Sequence, residues 1–349
     1  MKTKIGDFTI GEGRTFIIAE MSGNHGGDIS SALEIIRAAK EVGADAVKLQ
    51  TYRADTITLD CHNEDFLIPS NNPWSSSKNL YGLYEKAYTP WEWHKELFDE
   101  AKKAGIMIFS SPFDRTAVDL LEDLGVPVYK IASPEITDIP LMEYVGSKKK
   151  PVIVSTGVAE LADIELAVLT LKNAGATDVI LLKCTSSYPA PPESINLMTM
   201  VDMRTRFNCF VGLSDHTLGT AVPVSATALG ATVIEKHFIL NKTDESVDGF
   251  FSLDKTEFKK MVEDVRIAEL CIGKVTYELD AEGKKNFWGR RSLYMCKDLK
   301  KGEKVTAEHI KSVRPHFGLH PKHFKSLLGK TVKKDLHFGD RVMLEDFDV

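Results

Sequence analysis

The feature of this chain that most limits its fold is an eightfold alternation of short apolar runs with longer amphipathic helical stretches. The runs end, in order, at Glu20, Thr51, Pro112, Ser133, Gly157, Pro189, His216 and Leu240. Helical patterns such as ISSALEIIRAAKEVGA lie between them and end near a glycine, which suits a helix C-cap. This repetition predicts parallel strands joined by helices. Eight such units, at roughly 28 residues each, favour a closed (β/α)8 barrel, the TIM-barrel fold, over an open doubly wound sheet.

The chain of 349 residues is long enough for this barrel and one smaller module. We expect a barrel over 1–272, a linker over 273–289 and a folded module over 290–349. The part up to Gly283 carries 28 Lys and Arg against 42 Asp and Glu, whereas the rest carries 16 against 8. Basic residues are interspersed with apolar ones in the second part, which favours a folded module over a nucleic-acid arm. Its positive charge favours docking on an acidic barrel, either its own or that of a second subunit.

Composition excludes several other classes of protein. No apolar run approaches the ~20 residues of a membrane span, and the first residues lack the apolar core of a signal peptide. The five cysteines are scattered and include no CxxC, so neither a disulfide framework nor a thiolate zinc site is indicated. We therefore expect a cytoplasmic protein with reduced thiols, which binds neither nucleic acid nor a membrane.

One connection breaks the regular spacing. The stretch from Ala54 to Pro90, between the second run and the next helix, is far longer than the ~2–6 residues usual for such a loop. It contains Trp74, Tyr81 and Tyr84, which need a surface to pack on. We interpret it as a lid or substrate loop, with a solvated insertion as the alternative.

The predicted carboxyl ends of the strands are all polar, and this is the face on which barrel enzymes place their active sites. Cations and hydroxyl donors there are Lys48, Lys130, Ser133, Ser155, Ser186 and Ser214. Such groups hold a phosphate or a carboxylate. Each serine could instead cap the following helix. Two lysines buried without an anion would be costly, so an anionic substrate is expected.

Two histidines follow successive strands on the same face. His216 and His237 are therefore expected to be neighbours, and paired imidazoles suit a divalent metal. Glu20 or Asp248 could complete the ligand shell directly or through water. His25, in the glycine-rich turn SGNHGG, could also line the mouth of the barrel.

Several of these segments together resemble a known family. IIAEMSGNHGG, AVKLQTY, YKIASPE, GLSDHT and EKHF occur in order, and the tail RRSLYMCKDLKKGEKVTAEHIKSVRPHFGLHPK is similar to the antifreeze-like (SAF) module. The chain thus resembles the sialic acid synthases, which condense phosphoenolpyruvate with an N-acetylated amino sugar to give a nine-carbon 2-keto acid. The resemblance implies a TIM barrel followed by a small C-terminal SAF domain.

The resemblance also implies roles for matching positions. Phosphoenolpyruvate would be held by Lys48, Lys130, Ser133, Ser155, Ser186 and Ser214, although many relatives carry Asn at position 186. His216 and His237 would bind Mn2+ or Mg2+. Glu20 would hold the sugar or a metal-bound water, and Gln50 and Tyr188 would line the pocket.

Two further positions follow from the same resemblance. Asp248 would lie near the metal, and either Asp248 or Glu20 could activate water. His237 would help to bind the metal. Arg314 would reach from the small module of a second subunit into the first subunit's site, which implies a homodimer with swapped modules.

The sequence departs from its neuraminate-forming relatives after EKHF. Many of them have a GPDH-type loop, whereas this chain has SVDGFFSL, which keeps Asp248 and brings in Phe250 and Phe251. A pocket that loses a polar group favours a 6-deoxy sugar. Together with NPW and YEKAYTPWEWH, which resemble the branch that makes pseudaminic acid, this predicts 2,4-diacetamido-2,4,6-trideoxy-L-altrose as acceptor. Neuraminate or legionaminate synthesis is the alternative.

The predicted chemistry is attack by phosphoenolpyruvate C3 on the open-chain sugar aldehyde, polarised by the metal, with loss of phosphate by C–O cleavage. A different reaction class uses the same fold. A Schiff-base aldolase would use Lys130 or Lys183 as nucleophile, and borohydride trapping would distinguish the two.

Overall fold

A hairpin and a closed parallel barrel form the larger part of the computed structural model, which describes residues 2–348. The hairpin is β1 (Thr3–Ile5) and β2 (Phe8–Ile10). The barrel strands are β3 (Phe16–Glu20), β4 (Ala46–Thr51), β5 (Met107–Pro112), β6 (Tyr129–Ile131), β7 (Val152–Ser155), β8 (Val179–Cys184), β9 (Phe210–Asp215) and β10 (Val233–His237). Because β10 pairs with β3, His237 lies beside Glu20. The predicted (β/α)8 fold is confirmed.

The helices of this unit follow the strands in alternation. They are α1 (Ile29–Glu41), α2 (Ala54–Ile57), α3 (Leu80–Ala87), α4 (His94–Ala104), α5 (Arg115–Asp123), α6 (Ile139–Ser147), α7 (Leu161–Ala174), α8 (Met198–Phe207), α9 (Ala221–Ala228) and α10 (Lys255–Ile272). In α1, Asp28 caps the helix by accepting from the Ser30 amide. Its buried residues include Ile35 and Ile36, so one apolar face covers the barrel.

Helix ends at glycine were predicted from the sequence, and the structure has them. Gly105 and Gly175 end α4 and α7 with φ of 68° and 110°. A side chain there would meet the steric cost of the left-handed region, which glycine avoids.

Five of the eight barrel strands, β6 to β10, end before the apolar runs that predicted them. β6 ends at Ile131 rather than Ser133, and β8 ends at Cys184 rather than Pro189. A proline lies beyond each of these two ends and could not have continued the ladder, since it lacks the amide hydrogen that a sheet ladder needs. Pro134 begins a short 3-10 helix after β6, and Pro189 lies in the loop after β8.

The chain divides into two compact units, 1–273 and 274–349. The second contains α11 (Ala281–Lys285), β11 (Ser292–Met295), β12 (Ile310–Val313) and α12 (Phe324–Leu327). β11 and β12 are antiparallel. This unit has its own apolar core, in which Leu293, Val305 and Phe347 are fully buried. The linker predicted over 273–289 stays a prediction.

None of the helices within residues 2–348 combines the length and the apolar character needed to cross a bilayer.

Candidate active site

A cavity of about 360 Å³ opens at the carboxyl ends of the barrel strands. Side chains of the strand ends make its floor, and part of its wall comes from the long connection between β4 and α4. The predicted site residues that line it are Glu20, Lys48, Gln50, Lys130, Ser133, Ser155, Tyr188, Ser214, His216, His237, Asp248 and Phe251. The structure therefore brings together side chains from positions far apart in the chain.

Four buried charged side chains form the centre of the floor: Glu20, Lys48, Glu235 and Lys130. Each is at most 4% exposed. Lys48 contacts Glu20 directly and lies 3.9 Å from Glu235 Oε2, while Lys130 Nζ donates to Glu235 Oε1 at 3.3 Å. Because the charges alternate in sign, each ion offsets part of the desolvation cost of its neighbour.

Burial and these neighbours shift the pKa values of the floor residues. Burial lowers the pKa of Lys130, against the attraction of Glu235. It raises the pKa of Glu20, against the attraction of Lys48. For Glu235 burial also acts upward, but Lys130 and Lys48 outweigh it and hold the pKa of that carboxyl below its usual value. Glu235 is thus the carboxylate best stabilised in its ionised form.

The serines of the floor differ in what they already bind. Ser214 Oγ donates to Glu235 Oε1 at 3.0 Å, and Ser133 Oγ accepts from the Gly157 amide at 2.9 Å. Ser155 Oγ is buried and has no hydrogen-bond partner among the described residues. A buried hydroxyl left unpaired at a cavity is a group prepared for a ligand.

Ser186 does not line the cavity, but it lies close to the residues that do. A Cβ placed on Gly157 would lie 2.9 Å from the Oγ atoms of both Ser133 and Ser186. Only glycine fits between these two hydroxyls.

The two predicted metal ligands lie side by side. The ring centroids of His216 and His237 are 5.3 Å apart. His216 Nδ1 lies 2.8 Å from the Thr185 carbonyl. Burial acts to lower the pKa of His216, but the Cys184 side chain beside the ring outweighs burial and raises that pKa. His237 Nδ1 is buried without a hydrogen-bond partner among residues 2–348, and it lies 3.8 Å from Asp248 Oδ2. Burial holds the pKa of His237 well below its usual value, so the ring is neutral, as a metal ligand must be.

A ready-made cage of protein ligands is absent from the described part of the chain. No three His, Cys, Asp or Glu residues within 2–348 are arranged to hold a metal ion. The two imidazoles fit a metal whose other positions are filled by water or substrate oxygens, as is usual for catalytic rather than structural sites.

A hydrogen-bonded chain connects the two predicted water-activating carboxylates. Ser22 Oγ donates to Asp248 Oδ2 at 2.5 Å. Gln50 Nε2 donates to Ser22 Oγ at 3.0 Å and to Glu20 Oε1 at 2.9 Å. Burial raises the pKa of Asp248 as it does that of Glu20. Both carboxyls therefore bind a proton more readily than exposed ones do.

The loop after β10 places one of its two phenylalanines at the site. Phe251 is 1% exposed, lines the cavity and packs on His237 and Tyr188 with ring centroids 4.7 and 5.1 Å away. Phe250 is 49% exposed and packs on Phe251 from outside the cavity lining. The structure thus separates two adjacent aromatic residues that sequence alone left equivalent.

Glu235 and Glu135 stand among the polar residues at the predicted strand ends, but the sequence assigned neither of them a role. Side chains alternate in a strand, so Glu235 faces the same way as His237, and this period could have identified it. Glu135 lines the cavity, its Oε2 is buried without a partner in the described chain, and burial raises its pKa to about 7. It follows Pro134 in the short 3-10 helix after β6, where no strand period applies.

Two other predicted residues lie elsewhere. Lys183 is not among the cavity-lining residues, and its Nζ donates to the Cys184 carbonyl at 2.8 Å. Arg314 follows β12 in the second unit.

The barrel and its charged, enclosed mouth define a (β/α)8-barrel enzyme that acts on an anionic substrate. Residues 35–277 match the model of the NeuB family, and residues 290–348 match that of the SAF domain. The chain belongs to the NeuB family.

Curated relatives match nearly the whole chain. It is 48% identical to pseudaminic acid synthase of Campylobacter jejuni, with 99% of each chain covered. It is 43% identical to pseudaminic acid synthase of Helicobacter pylori, covering 95% of this chain and 97% of the relative. N,N'-diacetyllegionaminic acid synthase of Legionella pneumophila is 37% identical, with 95% and 94% covered.

Solved structures show the same architecture. The N-acetylneuraminic acid synthetase of Leptospira borgpetersenii, in complex with citrate, superposes with a TM-score of 0.73 at 30% identity, covering 82% of this chain and 95% of that one. The spore coat polysaccharide biosynthesis protein SpsE of Bacillus subtilis gives 0.68 at 30% identity over 100% and 99%.

Proposed function

We propose that this protein is a pseudaminic acid synthase, a transferase that condenses phosphoenolpyruvate with 2,4-diacetamido-2,4,6-trideoxy-L-altrose and releases phosphate. The observation that carries the proposal is the cavity floor, where Lys48 and Lys130 line the same cavity as Ser155, whose hydroxyl has no hydrogen-bond partner among the described residues. Buried ammonium groups and a free hydroxyl suit an anion. The 48% identity to the Campylobacter jejuni enzyme favours this acceptor over those of the other synthases.

Phosphoenolpyruvate binds at the floor in this proposal. Lys48 and Lys130 balance the charge of its carboxylate and phosphate. Ser133 and Ser155 supply hydroxyl donors from the cavity lining, and Ser186 lies next to Ser133. Ser214 donates to Glu235 and holds that carboxylate in place. Glu235 holds Lys130 in place before the substrate arrives, since their ion pair is already formed.

A divalent metal, Mn2+ or Mg2+, is held by His216 and His237 in this proposal. His237 Nδ1 has no hydrogen-bond partner among the described residues, and the depressed pKa of His237 keeps its ring neutral. The His216 ring lies beside it, with the ring centroids 5.3 Å apart. When bound, such an ion would polarise the carbonyl oxygen of the open-chain sugar.

Side chains of the cavity take up the proton of the attacking water. Phosphoenolpyruvate C3 forms the new bond to the sugar aldehyde carbon, and the aldehyde oxygen gains a proton to become a hydroxyl. Water adds at C2, the C–O bond to phosphate breaks, and the water oxygen stays on C2 as the ketone. Glu20 or Asp248 accepts the proton of that water, because the Ser22 and Gln50 hydrogen bonds hold both carboxyls at the cavity. Phe251 and Tyr188 form the apolar side against which the sugar rests.

Phosphate release tests this function directly. The wild-type protein is given phosphoenolpyruvate and Mn2+ with one of three acceptors: the altrose above, N-acetylmannosamine or the legionaminate precursor. Preference for the altrose supports the proposal. Preference for another acceptor keeps the chemistry and replaces the sugar, and no release with any of them overturns the reaction.

We also propose that the protein acts in the cytoplasm as a homodimer in which Arg314 of each chain completes the site of the other. The opposite net charges of the two parts of the chain support this exchange. Light scattering measures the mass, and Arg314→Ala is expected to weaken sugar binding without changing that mass.

A further inference from the structure

One face of α3 lines the cavity although the proposed chemistry does not use it. Leu80, Leu83, Tyr84 and Ala87 follow the i, i+3, i+4, i+7 spacing of a single helical face, and all four line the cavity. None of the eight residues of α3 is buried. An apolar helical face is normally covered by a core. Here the cavity lies in front of it, so a ligand can supply the missing cover.

Two isoleucines of the same connection extend this surface. Ile57, at the end of α2, and Ile68 also line the cavity. We call Ile57, Ile68, Leu80 and Leu83 the apolar strip. None of the four carries a polar group, whereas the floor contains the charged side chains described above. The cavity therefore has distinct polar and apolar parts, as ligand pockets usually do.

The apolar strip is held in position by hydrogen bonds within and beyond the connection. Trp74 Nε1 donates to the Val247 carbonyl at 3.0 Å, which ties the connection to the loop after β10. Asn79 Oδ1 accepts from the Gly82 amide at 3.0 Å and caps α3. The Ile68 amide donates to the Lys78 carbonyl at 2.9 Å. These contacts organise the surface before a ligand binds.

We propose that the apolar strip determines the acceptor specificity by taking the 6-deoxy end of the sugar. This inference rests on the proposed function and assigns one of its subsites. A C6 methyl group gains from burial against leucine and isoleucine. A C6 hydroxyl in the same place loses its hydrogen bonds to water and finds no partner on the strip.

The test compares two acceptors that differ only at C6. Leu83→Gln and Leu80→Gln place a hydrogen-bonding amide on the strip and keep a good helix former. The kcat/KM is measured for 2,4-diacetamido-2,4,6-trideoxy-L-altrose and for its 6-hydroxy analogue, at saturating phosphoenolpyruvate. We expect the ratio of the two values to fall about tenfold in each variant, with the KM for phosphoenolpyruvate unchanged.

Leu59→Gln is the matched control. Leu59 belongs to the same connection but is 63% exposed and does not line the cavity. The Leu59→Gln variant should keep the wild-type ratio of kcat/KM for the two acceptors. The inference is overturned if the ratio of kcat/KM for the two acceptors is unchanged in both strip variants. It is also overturned if the fall in that ratio comes together with a rise in the KM for phosphoenolpyruvate. If the wild-type protein releases phosphate with neither acceptor, the proposed function fails, and the role of the strip fails with it.

Discussion

The floor of the cavity and the apolar strip above it are built from opposite kinds of residue on opposite kinds of structure. The floor consists of charged side chains on barrel strands, and the pairing of neighbouring strands sets their spacing. Glu20 of β3, for example, is the register partner of Lys48 of β4. The strip consists of apolar side chains of the connection between β4 and α4; three of them lie on α2 and α3 and are partly exposed, and Ile68 is buried. Chemistry needs charges held at fixed distances, which a closed sheet provides. Selection among sugars needs only a matched surface, which a loop can supply.

The comparison also predicts different responses to substitution. A floor charge cannot be removed alone, because its buried partner is then left without compensation. A strip residue can be replaced at the cost of apolar contact. Floor variants should therefore lose activity or stability, and strip variants should change the preferred sugar.

The largest effect is expected for His237→Ala. Turnover should fall at least about a thousandfold, because the metal's several kcal/mol of charge stabilisation are lost with its ligand. Phosphate release and the metal content of the purified protein measure this. The melting temperature should change little, since His237 Nδ1 has no hydrogen-bond partner to lose within the described residues. Unchanged turnover with an unchanged metal content would show that the floor works without this ligand.

Glu235→Gln tests the floor through stability. The change leaves Lys130 buried beside a neutral group and should lower the free energy of unfolding by about 3–5 kcal/mol. Urea denaturation measures the loss. Glu193→Gln, an exposed position near the mouth, should stay within about 0.5 kcal/mol of the wild type. Equal stability of the two variants would contradict the ion-paired floor.

The stability of the protein should depend on pH through His25. His25 Nε2 lies 3.3 Å from Thr89 Oγ1, so this residue connects the turn after β3 to the end of the long connection. Burial lowers the pKa of His25 from 6.5 to about 4. The unfolded state therefore binds a proton that the folded state does not between these values. Stability contributed by His25 is present above pH 6.5 and is lost as the pH falls toward 4, by about 3 kcal/mol in all.

Melting temperatures recorded from pH 7 to pH 4 measure this loss. The variant His25→Gln should show a shallower decline over the same range. An identical slope in both proteins would remove His25 from the explanation.

Trp74→Phe should have a smaller effect, confined to the sugar. The ring contacts are largely kept, but the hydrogen bond to the Val247 carbonyl is lost, worth about 1 kcal/mol. The KM for the acceptor should rise about fivefold, with that for phosphoenolpyruvate unchanged. Steady-state kinetics separate the two. A parallel rise in both KM values would mean that floor and strip are not independent.

The last prediction is that borohydride trapping has no effect on the protein. Treatment of the wild-type protein with pyruvate and borohydride should give no covalent adduct by mass spectrometry, because the proposed condensation forms no imine. An adduct on Lys130 would assign the floor to aldolase chemistry.

Much of the barrel could be predicted because strand and helix periods are local properties of the chain. The eight runs, the glycine helix ends and the adjacency of His216 and His237 all follow from order and period. Five strand ends were overestimated, because an apolar run does not show where ladder pairing stops.

The site could be predicted only in part. Residue type and strand position were enough to place Lys48, Lys130 and the two histidines on the cavity. They placed Glu135 just beyond a strand end but did not show that its carboxyl is buried at the cavity, and they did not reveal the inner face of α3. The direction of these side chains depends on packing between segments far apart in sequence.

By itself the sequence determined the fold, the polar face of the barrel and the residue types available for chemistry, because these depend on periods and order along one chain. Only the tertiary structure decided which side chains meet. It paired Glu235 with Lys130, selected Phe251 over Phe250 for the cavity and turned one face of α3 toward it. These choices are set by barrel closure and by the exclusion of water from a shared space, and neither is a property of a local segment.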